Sequence, residues 1–424
     1  MKQPQIKVLD VDLVASPADI AHVGRLALDR GGAVLEYETA FIASGLEINP
    51  LDPPKAGPVP AREPRIFRGL HGVFADSLPD SWGEELVRRR CAREGVAYES
   101  LTALDRLAIV GRRGMGALVY RPEIPDDGTD LVDLDLLARE AAEILDGRDS
   151  DVLAELERLG GTSGGARPKV LIAMNAAGHA RAGVEEIPDG YDGWLVKFPS
   201  SHDVKDIGPL EGVYARMARA AGIDVPDHRL IATATGAGAY FGSKRFDRAA
   251  GGGRHHVVSA AGMLDIEWIV PQIDYDNLLR LVRRVTRSHE QVEEMVRRMI
   301  FNVVAHNRDD HAKQHAFIYG TDRRWRLAPA YDLTFSSGPN GEHYLAVNGE
   351  AGDIGPDAIR AVAATQDVKP HRLAAITGQV LDAVGKFRDF AGECDLSRRT
   401  TEDVRRALRA AITRFASLAD VRRR

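Results

Sequence analysis

The densest run of ionisable side chains lies between Ala305 and His315: Ala-His-Asn-Arg-Asp-Asp-His-Ala-Lys-Gln-His. It follows an apolar stretch ending in Phe301-Asn-Val-Val. Charges so placed at the end of a buried helix are expensive unless paired or solvated in a site. Asp309 and Gln314 stand in a D-x-x-x-x-amide spacing. Phosphoryl transfer uses that spacing: the aspartate accepts the proton of the attacking hydroxyl, and the amide oxygen helps hold Mg²⁺. Lys313, just before the amide, would neutralise charge on the moving phosphate. A solvated loop with helix-capping aspartates is the competing reading of this run taken alone.

Other residues give the run its meaning. Downstream, Trp325-Arg-Leu-Ala-Pro-Ala-Tyr-Asp puts Asp332 at the end of a short apolar segment, where a main Mg²⁺ ligand is needed. Upstream, Gly160-Gly-Thr-Ser-Gly-Gly-Ala-Arg-Pro-Lys offers backbone amides that can approach phosphate oxygens without Cβ interference. It is neither a Walker A motif nor G-x-G-x-x-G, and is a weak signal alone. Lys197, in Trp-Leu-Val-Lys-Phe, is a cation on an expected strand, and Glu211 on the next helix is its candidate ion-pair partner. A glycine loop, a strand lysine, a helix glutamate, Asp309 with Gln314, then Asp332 follow the order a protein kinase requires. A metal-dependent hydrolase built on His306, Asp309, Asp310, His311 and His315 is the rival, but it lacks a recognised zincin spacing and leaves Lys197 unexplained.

The elements that must carry these residues divide the chain. With 424 residues, 44% hydrophobic and 28% charged, it is long enough for two or three domains and ordinary for a globular protein. The expected division is an N-terminal accessory subdomain over 1–125, a lobe with glycine loop and lysine over 126–250, and a helical lobe over 251–424. Ile6, Val8, Val11 and Leu13 read as a strand, and Asp126 to Asp130 as a polar linker. Val170 to Met174 and Trp194 to Phe198 read as a strand pair. Gly212 to Ala221 reads as a helix, with Leu210, Val213 and Met217 on one side. After about residue 270 the pattern turns helical. The net charge of −6 gives no electrostatic case for whole-molecule binding to nucleic acid or membrane. Cys91 and Cys394 match no metal or redox spacing and are expected to be reduced and partly buried. No apolar run reaches signal-peptide or membrane-span length, so a cytoplasmic protein is expected.

These motifs together resemble the HipA family of serine/threonine kinase toxins over nearly the whole chain. The resemblance rests on Phe74-Ala-Asp-Ser-Leu-Pro-Asp-Ser-Trp-Gly, Gly114-Met-Gly-Ala-Leu, Gly164 to Lys169, Leu195-Val-Lys-Phe-Pro, Lys244-Arg-Phe-Asp-Arg, Asp309-Asp-His-Ala-Lys and Tyr331-Asp332. It implies an α+β, two-lobed, protein-kinase-like fold: a β-containing N-terminal lobe with an accessory subdomain, and a mostly helical C-terminal lobe. ATP would lie under Gly164, Gly165, Ala166, Arg167, Pro168 and Lys169, with Lys197 on its phosphates. Lys244, Arg245 and Phe246 would contact adenine, and Asp309 would be the base. His311 to Gln314 would line the phosphate site, and Tyr331 and Asp332 would complete the nucleotide and Mg²⁺ site. The resemblance also implies a small helix-turn-helix, HipB-like antitoxin, often on operator DNA, and autophosphorylation in the glycine loop at Thr162 or Ser163. One departure is Gln314, where the family usually has Asn. The longer side chain moves the amide by about 1.5 Å, and a catalytically weak binding module is the alternative function.

Overall fold

The computed structural model describes residues 6–29, 32–63, 65–79, 81–125, 132–160, 165, 167–182, 187–200, 206–236 and 238–420. The expected 126–130 linker lies outside them. The N-terminal part is an antiparallel five-stranded sheet, in the order Pro58–Pro60, Gly32–Tyr37, Asp19–Asp29, Val8–Ser16 and Leu118–Arg121. In Val8–Ser16 the two-residue period sends Leu9, Val11 and Leu13 inward, while Val8 faces out.

A second antiparallel five-stranded sheet has the order Ala180–Arg181, Lys169–Asn175, Tyr191–Lys197, Ala239–Lys244, His228–Ala232. The expected strand pair is present, in a register that sets Lys169 opposite Lys197 and Phe241 beside it. Helix Ile207–Ala220 follows and begins earlier than its sequence pattern, because Pro209 falls in the first turn, where a missing N–H costs nothing. Its buried side carries Leu210, Val213 and Met217, as expected, together with Glu211.

The rest is mostly helical. Helices Tyr275–Thr286 and His289–Val304 pack on each other, and four further helices run from Pro356 to Phe415. In His289–Val304, Met295, Met299, Ile300 and Phe301 are fully buried, each stabilising by about 1.5–3 kcal/mol. The three-stranded sheet His256–Ser259, Ala316–Tyr319, Trp325–Leu327 receives the chain after the charged run and delivers it to Asp332.

Two cores result. The larger joins the N-terminal sheet to the helical part. The smaller lies under the second sheet and includes helices Leu134–Leu145 and Leu153–Gly160. Trp82 and Leu86, from before residue 125, pack into it, so the two regions share side chains. Cys91 and Cys394 are buried free thiols. Among the described residues no helix is long and apolar enough to cross a membrane.

Candidate active site

The charged run leaves helix His289–Val304 and is fastened from below by its second aspartate. Asp310 is fully buried and accepts hydrogen bonds from the Tyr275 hydroxyl at 2.8 Å and the Tyr344 amide at 2.9 Å, with the His343 ring at 2.9 Å. Tyr275 in turn accepts from Asn302 at 2.9 Å, whose carbonyl takes a bond from Asn307 at 2.9 Å. Asn307 then accepts the Thr334 amide at 3.2 Å, two residues beyond Asp332. One polar chain therefore fixes both carboxylate-bearing segments relative to each other. It leaves Asp309 on the open side, about half exposed.

Asp332 has φ +56°, a left-handed conformation that aspartate tolerates better than most residues. Its two oxygens face different partners: Lys197 Nζ at 2.5 Å and the Gln314 amide nitrogen at 3.1 Å. The same ammonium reaches Glu211 at 3.1 Å, and Arg167 approaches the other oxygen of Glu211 at 2.7 Å. The expected Lys197–Glu211 pair is thus present, with Arg167 added. Burial alone would lower the Lys197 pKa, but Asp332 and Glu211 outweigh it and hold the ammonium charged. Burial would raise Asp332, yet Lys197 and Lys169 hold it well below the usual carboxylate range. Asp309 goes the other way: burial, then repulsion from Asp332 and Asp310, raises its pKa to about 6.

Lys169 lies directly across the sheet from Lys197. Two like charges side by side are unfavourable unless anions face them, and the acids and open cleft below supply that setting. Gly165 has φ +89°, and a Cβ there would come within 2.4 Å of the Lys169 ammonium, so glycine lets loop and lysine close together. Trp82 supports both. Its backbone amide donates to the Gly165 carbonyl at 3.2 Å and its indole to the Lys169 carbonyl at 3.1 Å. Thr162, Ser163, Gly164 and Ala166 lie outside the described residues.

Asp309, Gln314, Asp332, Lys197, Glu211 and Lys169 border one cleft of about 1640 Å³. Lys244, Phe246 and Tyr331 line it, the last two with stacked rings 5.9 Å apart, and the Tyr331 hydroxyl donates to the Lys313 carbonyl at 2.7 Å. His311 and Lys313 border it near Asp309, His311 packing on Trp268 at 4.4 Å. Arg245 also reaches the cleft, but its guanidinium is committed to buried Asp247 at 2.7 Å, and Lys244 pairs with Asp192 at 2.9 Å. The donor set fits Mg²⁺: the Asp332 carboxylate and the Gln314 amide supply the hard oxygen atoms that ion prefers. Gln314 would have to turn its amide over, since its nitrogen now faces Asp332. Among the described residues no group of three or more His, Cys, Asp or Glu side chains is arranged to hold a metal.

Comparison with known proteins gives the family of the chain and its fold. Residues 161–412 match the family model of the HipA-like C-terminal domain, and residues 18–121 match that of the HipA N-terminal domain. The chain belongs to the HipA family. A chain of the solved Shewanella oneidensis MR-1 toxin–antitoxin complex of HipA, HipB and operator DNA superposes on this HipA-family protein with a TM-score of 0.70. It does so at 15% identity over 97% of this chain and 99% of that one, and so shares its fold. Y4dM of Sinorhizobium fredii is 32% identical over 156 residues, 33% of this chain; the match spans 36% of that relative's length.

The sequence reading missed Trp82, Tyr275, Asn302, Asn307 and His343 as supports of the site. Trp82 lies within the Phe74 to Gly83 motif, and Asn302 and Asn307 beside or in the charged run, but residue type gave none of them this task; Tyr275 and His343 stand near no motif, and only the adjacent pair Asp309-Asp310 hinted that one of the two carboxylates had a structural task.

Proposed function

We propose that this HipA-family chain is an ATP- and Mg²⁺-dependent serine/threonine protein kinase, the toxin of a toxin–antitoxin pair. Its partner would be a HipB-like helix-turn-helix antitoxin, through which it would meet operator DNA. The observation that carries the reading is the Lys197 ammonium bridging Glu211 and Asp332 in the cleft that Asp309 also faces. Lys197 and Lys169 hold the phosphates, with Glu211 orienting Lys197. Phe246 and Tyr331 flank the base. Asp309, with its pKa raised to about 6, stays ionised at neutral pH yet is basic enough to take the proton of an acceptor hydroxyl. Asp332 and Gln314 would hold Mg²⁺, which would supply neutralisation of phosphate charge.

The test is incubation with labelled ATP and Mg²⁺. Label is expected on Thr162 or Ser163 and on a cytoplasmic protein target, and it is lost in Asp309→Asn. Undiminished transfer by that variant sinks the assignment. A short helix-turn-helix protein encoded beside the chain should co-purify with it. The second reading, a catalytically weak module that acts with the antitoxin on DNA, is favoured by one feature: Gln314 stands where the family usually has Asn, with its amide one methylene further out. Antitoxin binding without label transfer would select it.

A further inference from the structure

The N-terminal subdomain reaches the nucleotide cleft at Asp76, Ser77, Leu78 and Ser81, and again through one loop that leads to strand Leu118–Arg121. Helix Ala103–Val110 ends at Gly111, and the chain then crosses to strand Leu118–Arg121 through Arg112 to Ala117. That crossing is bonded to the segment Arg245 to Arg254 through the Arg112 and Gly114 carbonyls and both backbone groups of Gly116. The Gly114 carbonyl accepts from Arg248 at 2.8 Å and from Arg245 at 3.4 Å. The Gly116 amide donates to Asp247 at 2.8 Å, and its carbonyl accepts from Arg248 at 2.9 Å. Asp247 is fully buried and binds Arg245 and Arg248 at 2.7 and 2.6 Å, so one carboxylate fastens loop and connection together. Gly116 adopts φ +79°, and a Cβ there would come within 3.1 Å of the Val257 backbone nitrogen, so the loop sits flush against the wall of the cleft.

Met115 is the residue between those two anchors. Its backbone neighbours are fixed on both sides, yet its side chain is 37% exposed and borders the same cleft as Phe246, Tyr331 and Val257. A large apolar side chain left open between two fastened glycines, in the same cleft as Phe246 and Tyr331, suggests a surface kept for an apolar ligand. A thioether is polarisable and adaptable, and it packs well on the edge or face of an aromatic ring.

We infer that Met115 is a nucleotide-binding residue supplied by the N-terminal subdomain, covering the purine base that Phe246 and Tyr331 contact from the kinase lobes. This rests on the nucleotide reading given above. The N-terminal subdomain is then part of the nucleotide site, and anything that shifts the Gly114–Gly116 anchors changes base affinity directly.

The experiment measures Kd for Mg·ATP and for Mg·tripolyphosphate on the full chain, comparing the natural protein with Met115→Ala and Met115→Gln. Met115→Ala is expected to weaken ATP about fivefold to tenfold, an apolar contact of roughly one kilocalorie, and to leave tripolyphosphate unchanged. Met115→Gln, of similar length, should fall between. As a second readout, saturating ATP should shield Met115 from oxidation by peroxide, followed by peptide mass, whereas tripolyphosphate should not. Unchanged ATP affinity in both variants, or equal weakening of both ligands, overturns the inference while leaving the kinase reading intact. Failure of the natural protein to bind ATP at all overturns that reading instead, and this inference with it.

Discussion

Below the cleft, the segment bearing Asp309 is held by Asp310, Tyr275, Asn302, Asn307 and His343, which satisfy one another through hydrogen bonds around a single buried carboxylate. Above it, Lys169, Lys197, Arg167, Glu211 and Asp332 hold one another chiefly by charge. The floor needs nothing further to be complete. The roof brings two lysines alongside each other and gives them acids as counter-ions. Under the proposed function, a preorganised floor with a charge-balanced roof would keep the base in place while phosphate-facing groups exchange partners, and electrostatic sites gain from such fixed dipoles.

Replacing each of the adjacent aspartates is the hardest test of that contrast. Asp310→Ala leaves the Tyr275 hydroxyl and the Tyr344 amide buried without their acceptor, and is expected to cost about 3–4 kcal/mol of unfolding free energy. Asp309→Asn should cost nothing at neutral pH. Its folded pKa of about 6 lies above the ordinary value of 3.8, so the ionised form is disfavoured by folding. Removing the charge should raise the melting temperature at pH 7, and the gain should vanish below about pH 4. Urea titrations of both variants decide the matter, and equal losses would erase the distinction between floor and site.

Lys197→Met probes the roof. It strands Asp332 and leaves buried Glu211 with Arg167 alone, for an expected loss of about 2–3 kcal/mol together with loss of ATP binding. Adding Glu211→Leu should restore part of the stability and none of the binding. Restoration of neither would mean that packing, and not charge, holds that wall.

Acid should loosen the packing around the floor before the roof: His315 lies 3.3 Å from the Asp310 carbonyl, and His256, on strand His256–Ser259, lies 2.8 Å from the Ile48 carbonyl. His256 and His315 are buried, and desolvation lowers both to a pKa of about 4. A histidine with a depressed folded pKa contributes stability that is present above about pH 6.5 and lost as pH falls toward 4. Each is expected to cost nearly 2 kcal/mol, to order of magnitude, between pH 7 and pH 5. Asp332, held low by Lys197 and Lys169, stays ionised across that window. Denaturation curves at the two pH values, with His256→Gln flattening the difference, check this.

The contrast also explains what was readable. Lys197, Asp309 and Asp332 were legible because the chemistry limits the residue types and the chain order, and the strand pair because its apolar runs were short and bounded by turns. The separate tasks of Asp309 and Asp310 were not, since neighbouring identical side chains carry no sign of which faces inward. Arg245 was expected at the base, yet its guanidinium turns to Asp247, two residues on. A spacing of two cannot say whether a strand-end arginine faces its neighbour or the cleft. Trp82 lies 87 residues from Lys169, and only the folded chain brings the indole beneath that strand.

Gln314 lies where floor and roof meet, and its replacement is the gentlest test. The amide donates to Asp332 at 3.1 Å, bridging the loop below to a carboxylate held from above by Lys197. Mg²⁺ demands oxygen ligands near 2.0–2.1 Å in octahedral array, so an amide one methylene too long must fold back as well as turn over. Asn at this position shortens the reach and loses the hydrogen bond to Asp332 in the metal-free protein. Both changes favour the ion, and Gln314→Asn is expected to lower the Mg²⁺ concentration for half-maximal transfer severalfold, about 1 kcal/mol. Stability should change little, because the side chain is only half-buried. A Mg²⁺ titration of label transfer reads the first effect and a melting curve the second. A higher Mg²⁺ requirement in the variant would mean that the longer amide is fitted to this cleft, and that the bridge to Asp332 belongs to the active arrangement.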